Sequence, residues 1–185
     1  MLFKLLFPGV IFHELAHYLA CILFGVKVFS TRLFDFQEAF IQHAKPNAWQ
    51  AVGISIAPFA LNNLLAVWLL LLANDFVAAM NPVAIVFYWL AIALAFHSFP
   101  SDTDAINAFN AVKESCVNHL RVGSTRKKFA WLILTPFIFI PSLFLTGMLL
   151  LFDKSAFLKI VWVFIVVWTA LQPQQLALFI NSIFV

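Results

Sequence analysis

Five long apolar segments alternate with shorter polar segments along the chain. They cover about residues 2–25, 48–73, 80–99, 129–152 and everything from about 156 onwards. Each is close to the roughly 20 residues that a helix needs to cross a hydrocarbon core. The pattern therefore predicts an all-α polytopic membrane protein with about five transmembrane helices. Because Pro173 and the neighbouring glutamines interrupt the last segment, we expect residues 174–185 to continue a kinked helix, re-enter the membrane or lie along its interface.

The polar segment after the first span has the composition of β-strands. Residues 26–44 are rich in β-branched and aromatic side chains, and the part from Leu33 to Glu38 alternates in the manner of a strand. We expect a short β-hairpin here, at the membrane surface. One of its edges is expected to remain free, so that an unwound substrate can add to it as a further strand. The alternative is an inert amphipathic hairpin that only packs against the lipid headgroups.

The polar segment after the third span predicts an amphipathic helix. Ser101 can cap the N-terminus of this helix, and Asp102 and Asp104 fall in its first turn. An approximate apolar stripe follows, formed by Ile106, Phe109, Cys116 and Leu120.

Composition supports a membrane protein of one domain. Of the 185 residues, 64% are hydrophobic and 10% are charged, and the mean hydropathy is +0.98. Soluble domains are about half apolar and a quarter charged, so the lipid bilayer is an expected partner. The net charge is only +3, and no basic cluster is interleaved with aromatic residues, so nucleic acid is not expected to bind. Cys21 and Cys116 are isolated, which favours small buried side chains over a disulfide or a thiolate metal site.

The distribution of lysine and arginine predicts the orientation in the membrane. If all five spans cross, eight basic residues lie on one face and three on the other. The positive-inside tendency assigns the eight-residue face to the cytoplasm and the N-terminus to the extracytoplasmic side. Any active site at the end of the third span would then lie toward the cytoplasmic side.

The first span contains the strongest chemical signal, the HExxH motif formed by His13, Glu14 and His17. On a helix, residues four apart lie on one face, so the two imidazoles can each give a nitrogen to one Zn²⁺. The glutamate between them can take a proton from the attacking water. Ionisable side chains inside a membrane span are rare and are usually functional, although a polar patch facing another helix or a proton relay would use the same residues.

The sequence resembles the site-2 protease family of intramembrane zinc metalloproteases. The resemblance depends on the HExxH motif in an early span, on "APFALN" at 57–62 in the second span, and on "HSFPSDTDA" at 97–105 after the third. The second motif has Ala57 where the family has glycine, with one extra residue before the asparagine, and no Leu-Asp-Gly is present. The resemblance implies a catalytic core over residues 1–110 of the single domain 1–185, with additional transmembrane helices over 129–185.

A catalytic zinc needs a third protein ligand, and three residues after the third span are candidates. We rank Asp104 first, because it matches the family's aspartate ligand to within one residue, and then Asp102 and His97. Asp104 also follows Ser101 by three residues, so a plain capping role is the alternative explanation for it.

Asn62 and Asn63 place amides inside the second span, where such groups commonly bridge helices. The functional alternative is a hydrogen-bond donor that stabilises the oxyanion of the transition state, and Asn62, which carries the resemblance, is our choice for it. His43 and His119 lie among ordinary polar residues, and we interpret both as solvated surface side chains.

These observations predict an intramembrane zinc metallopeptidase that hydrolyses membrane-embedded proteins or peptides. Zn²⁺ is the expected cofactor, Glu14 the general base, and His13, His17 and Asp104 the metal ligands. Regulation is expected to come from a membrane partner or from earlier trimming of the substrate. Two alternatives stay open: a zinc-binding membrane protein of the same fold that does not hydrolyse peptides, and a proton-coupled transporter.

Overall fold

A computed structural model describes residues 5–33, 39–122 and 125–171 of the chain. Six helices and a two-stranded sheet form this part of the protein. In chain order they are α1 (Phe7–Leu23), β1 (Val28–Arg32), β2 (Phe40–His43), α2 (Ala48–Ala78), α3 (Val83–Phe96), α4 (Asp102–Val122), α5 (Thr125–Lys154) and α6 (Ala156–Leu171). The mostly helical fold with a small β element, predicted from the sequence, is confirmed.

The five apolar segments all form helices, but these helices differ in length. Helices α2 and α5 have 31 and 30 residues, and they alone among the described helices are long and apolar enough to cross a membrane. Helices α1, α3 and α6 have 17, 14 and 16 residues. The shortest, α3, rises only about 21 Å. It ends at Phe96, shortly before Pro100, which disfavours helical backbone at the preceding residue. The alternatives for residues 174–185 lie outside the described residues.

The predicted hairpin is present. Strands β1 and β2 pair antiparallel, with Ser30 opposite Gln42 and Arg32 opposite Phe40. An irregularity in the register follows Val28, the one half-buried residue of an otherwise exposed β1. Most of the alternating stretch that follows Arg32 falls at positions 34–38, outside the described residues, and strand addition by a substrate stays a prediction.

A tight turn leads from α1 into the hairpin. Gly25 adopts a left-handed conformation with φ of 67°, which only glycine takes up without strain. The Val26 amide donates to the Cys21 carbonyl at 2.8 Å and the Gly25 amide to the Ile22 carbonyl at 3.1 Å. These two bonds form the Schellman motif that closes many helices. The same turn brings Val26 against buried Cys21, in the apolar contact between α1 and α2.

Helix α2 is the central element of the bundle and packs against α1, α3, α4 and α6. It begins with a capping box, in which the Asn47 and Gln50 side chains each accept from the other's backbone amide. The Gln50 side chain also donates to the Phe24 carbonyl at 2.9 Å, which ties the start of α2 to the end of α1. The largest apolar cluster joins α2, α3 and α6 through Ala66, Leu70, Ala91, Leu94, Ala95, Val166 and Ala170.

Helix α4 is amphipathic, as predicted, but its buried face differs in detail from the predicted stripe. The buried residues are Ala105, Val112 and Cys116. Ile106, which the pattern placed in the stripe, is 45% exposed. Ala105 packs with Phe99 and with Leu149 of α5, so the buried face of α4 contacts α5 as well as α2. Both cysteines are free and buried, as predicted.

Helix α1 makes its closest approach to α3 at Gly9. A Cβ atom added there would overlap the backbone carbonyl of Ala93 and lie 2.8 Å from the His97 ring. Backbone cannot move aside as a flexible side chain can, so the absence of a side chain is required at this crossing. His13 lies one turn further along the same face of α1.

We predict that Gly9→Ala destabilises the protein by about 1–3 kcal/mol, the usual range for overpacking. It should also weaken metal binding, since α1 carries His13 away from α3. Thermal unfolding in detergent measures the first effect. The control is Gly147→Ala in α5, where an added Cβ would have no neighbour within 4 Å; this change should leave stability equal or raise it by up to about 1 kcal/mol. Equal unfolding temperatures for the Gly9→Ala and parent proteins would contradict the close crossing.

Candidate metal centre

The two histidines of the HExxH motif lie side by side on the inner face of α1. Both are buried, with 9% and 5% of their surface exposed. The Nε2 atoms of His13 and His17 are 3.2 Å apart, and the rings meet edge to face with centroids 4.9 Å apart. Helical spacing alone accounts for this pairing.

Asp104, from the first turn of α4, brings a carboxylate to the same point. Its Oδ2 atom lies 3.2 Å from the Nε2 of His17 and 3.7 Å from the Nε2 of His13. A tetrahedral zinc with ligands at about 2.0–2.1 Å separates its ligand atoms by about 3.3 Å. The three donor atoms therefore have the chemistry and the spacing of a zinc site with one position left open. Among the described residues they are the one group of this kind whose ligand atoms all lie within 4.8 Å of one another.

Backbone carbonyls hold both imidazoles by their other nitrogen. The Nδ1 of His13 lies 2.8 Å from the His97 carbonyl, and the Nδ1 of His17 lies 2.8 Å from the Ile54 carbonyl. A carbonyl can only accept, so each Nδ1 carries the proton and each Nε2 of the neutral ring presents its lone pair. Such contacts orient metal-binding histidines in many proteins.

Pro58 explains why the Ile54 carbonyl is available inside a continuous helix. In α2 this carbonyl would normally accept from the amide four residues later, but that residue is Pro58, which has no N–H group. Pro58 is fully buried. The proline of the "APFALN" segment thus releases the acceptor that His17 uses. The sequence analysis did not predict this role. The four-residue offset between Ile54 and Pro58 indicates only that the Ile54 carbonyl lacks its usual helical donor.

The Asp104 carboxylate is held by a capping box at the start of α4. The Ser101 hydroxyl donates to Oδ2 at 2.6 Å and the Ser101 amide to the same atom at 3.0 Å, while the Asp104 amide donates to the Ser101 hydroxyl at 3.2 Å. The capping role and the contact with the histidines therefore occur together. Burial opposes ionisation of Asp104, but the pKa of that carboxyl still lies below its usual range, and the hydrogen bond from Ser101 is one cause.

The end of α5 and the start of α6 also support the start of α4. Asp153 accepts from the Asp102 amide at 3.2 Å, so it satisfies one of the free amides of the first turn. Lys159 forms an ion pair with the other oxygen of Asp153 at 3.0 Å. The sequence analysis had assigned this part of the chain only as additional transmembrane helices, yet it positions the helix that carries Asp104.

The other two candidate ligands do not join the group. The Asp102 side chain lies 3.3 Å from the Thr103 hydroxyl, outside the cluster. His97 contributes its backbone carbonyl rather than its ring, whose Nε2 is buried without a partner among the described residues.

The two asparagines of α2 have different partners. Asn62 is fully buried, and its Nδ2 donates at 3.2 Å to the same His97 carbonyl that holds His13. Asn62 thus supports His13 through a shared acceptor, and its assignment as an oxyanion donor stays a prediction. Asn63 bridges helices, since its Oδ1 accepts from the Trp162 indole of α6 at 2.9 Å.

Glu14 and the two remaining histidines complete the set of predicted residues. The Glu14 carboxylate is half-buried and forms no hydrogen bond with any group in the described part of the chain. His119 is exposed, as expected, and stacks on Trp131. His43 is half-exposed and lines a surface cavity that also contains Asp104.

Variants of the capping box separate its two roles. Ser101→Ala should lower stability by about 1 kcal/mol, as for other helix caps, and should leave one zinc per chain. Asp104→Ala removes the carboxylate and should abolish stoichiometric zinc, whereas Asp102→Ala should retain it. Metal analysis of the purified proteins measures zinc content, and full zinc in Asp104→Ala would exclude Asp104 as a ligand.

Replacing Pro58 by alanine should change stability and metal affinity in opposite directions. The new amide can bond the Ile54 carbonyl, so α2 becomes more stable, but it competes with His17 for that acceptor. We expect zinc affinity to fall by about 10–100-fold, as for other changes behind a metal ligand. Chelator competition measures affinity. Pro141→Ala in α5, which is not part of the site, should leave affinity unchanged; an equal loss in both variants would contradict the role of Pro58.

The chain was also compared with known proteins. No protein-family profile, characterised protein or solved structure matches it. The geometry of the site therefore carries the functional argument.

Proposed function

We propose that this protein is a multi-pass membrane zinc metallopeptidase that hydrolyses membrane-embedded proteins or peptides. One observation carries the proposal: the Nε2 atoms of His13 and His17 and the Oδ2 of Asp104 lie 3.2–3.7 Å apart. Both Nδ1 protons already bond backbone carbonyls. The facing groups are then lone pairs and a carboxylate, which repel one another unless a cation lies between them.

The surface of α5 supports the membrane location. Only 6% of its most apolar 18-residue window is buried within the protein, whereas the core helix of a soluble protein is mostly buried. Phe137 and Phe144 are 73% and 74% exposed. Aromatic surface of this extent is unfavourable in water and suits contact with lipid. We assign the hairpin and α4 to the cytoplasmic side, from the excess of basic residues there.

The chain's own residues account for the steps of peptide hydrolysis. His13, His17 and Asp104 would hold the zinc, which when bound supplies Lewis-acid activation of water and of the scissile carbonyl. Glu14, on the same helix and free of hydrogen bonds to the described residues, takes the proton from the attacking water. It then passes that proton to the leaving amine.

The carbonyl contacts keep the histidines in the form that this chemistry needs. Because His97 and Ile54 accept from the Nδ1 atoms, the rings cannot rotate to present the protonated nitrogen. Asn62 reinforces the first of these contacts. The site is therefore assembled by the fold before substrate arrives, which favours catalysis.

Glu14→Gln distinguishes the peptidase from the zinc-binding protein that lacks activity. The amide cannot accept the proton, so cleavage should fall at least about 100-fold, while zinc stays at one per chain. The readout is the cleavage rate of a membrane-embedded reporter by purified protein. Asp102→Ala, which removes a carboxylate outside the cluster, serves as the control and should keep activity. Cleavage at the parental rate by Glu14→Gln would overturn the assignment of Glu14.

A further inference from the structure

A polar cleft of about 320 Å³ adjoins the metal-centre residues. One wall is the connection from β2 to α2, the other is α4, and Ile54 and Ser55 of α2 form part of its lining. Asp104 lines the cleft, so the cleft leads from the protein surface to a proposed metal ligand. The volume lies at the small end of the range for ligand pockets, which is about 300–1,000 Å³.

The α4 wall combines unpaired side-chain amides with small side chains. Asn107 and Asn110 line the cleft and are exposed, and their side-chain amides form no hydrogen bond with any described group. Ala108 and Ala111 lie beside them and leave room for a close approach. An asparagine amide can donate and accept at once, which matches the N–H and C=O groups of an extended peptide backbone.

Ser55 provides an independent sign that a polar ligand belongs here. It is 4% exposed and lines the cleft, and its hydroxyl has no partner among the described residues. Buried hydroxyl groups are normally paired, and leaving one unpaired is unfavourable. A bound peptide backbone would form a hydrogen bond with the Ser55 hydroxyl. An apolar helix would leave this hydroxyl and the Asn107 and Asn110 amides buried without partners.

An ion pair joins the two walls of the cleft. The Lys45 ammonium of the β2–α2 connection lies 2.6 Å from the Glu114 carboxylate of α4, and both residues line the cavity. Both side chains are largely exposed, and exposed ion pairs contribute little to stability. A substrate can therefore displace the pair easily.

We propose that this cleft binds an extended polar segment of the substrate polypeptide through its backbone. The inference rests on the proposed peptidase and names its substrate class: the segment next to the scissile bond is unwound and polar, not an apolar helix. Asn107, Asn110 and Ser55 pair its backbone groups, and the Lys45–Glu114 pair parts to admit it.

The test measures binding to the full-length Glu14→Gln protein, zinc-loaded and in lipid nanodiscs. The probe is a fluorescent ten-residue peptide of alternating serine and alanine, followed by fluorescence anisotropy. Ala111→Phe fills the cleft and should weaken binding at least tenfold. Asn118→Phe adds the same ring to α4 at an exposed position that is not part of the cleft lining, and should change binding less than twofold.

A second pair of variants covers the case that Ala111→Phe fails to fold. Asn107→Leu/Asn110→Leu removes both amides and should weaken binding about tenfold, the loss expected for two hydrogen bonds of about 0.7 kcal/mol each. Asn118→Leu is its control. The proposal is overturned if the serine–alanine peptide does not bind, or if the cleft variants and their controls bind it equally well. It is also overturned if the cleft variants weaken binding of a polyleucine transmembrane peptide instead.

Binding and cleavage separate this inference from the proposed function. If the parent and Ala111→Phe cleave the reporter equally fast, the cleft is not the substrate site, but the proposed peptidase function is retained. If the zinc-loaded protein binds the peptide in the cleft and the parent cleaves no reporter, the binding site is retained and the proposed peptidase function is wrong.

Discussion

Two backbone carbonyls, one inside α2 and one just after the end of α3, hold the imidazoles of His17 and His13. These two contacts tie α1 to both helices. The His97 carbonyl is free because α3 ends at Phe96, and the Ile54 carbonyl is free because Pro58 has no amide proton. Each lies 2.8 Å from an Nδ1 atom. Helix α1 must therefore pack against α2 and α3 at once, and a residue as small as Gly9 is needed where it crosses α3.

The third ligand depends on parts of the chain that lie far apart in sequence. Asp104 reaches the histidines from α4, whose first turn is fixed by Ser101 and by Asp153 from the end of α5. The Asp153–Lys159 pair ties the last two helices to that turn. These helices thus support the position of the carboxylate. The cleft along α4 gives a polar path to the same carboxylate, and the proposed hydrolysis needs such a path because water is one of its reactants.

Local spacing made the core of the site predictable. His13 and His17 are one helical turn apart, and any helix brings them together. Asp104 was ranked first among three candidates, and the structure brings it to the pair, while Asp102 and the His97 ring lie elsewhere. The apolar segments likewise predicted the helices, because burial in lipid or protein selects such segments whatever their packing.

Contacts between distant segments were beyond sequence reasoning. The pairing of His17 with Ile54 joins residues 37 positions apart. Pro58 leaves the Ile54 carbonyl without its helical donor, but nothing local identifies His17 as the group that uses it. The predicted apolar stripe of α4 was wrong at Ile106, which is 45% exposed, whereas Ala105, Val112 and Cys116 are buried.

X-ray absorption spectroscopy of the purified, zinc-loaded protein tests the central claim most directly. The three-ligand geometry predicts four-coordinate zinc with two imidazoles and carboxylate or water oxygen, all at about 2.0–2.1 Å. Replacement of His17 by alanine should remove one imidazole from that spectrum. A sulfur ligand at about 2.3 Å, or a zinc shell without imidazole, would contradict the assignment of His13, His17 and Asp104 as the metal centre.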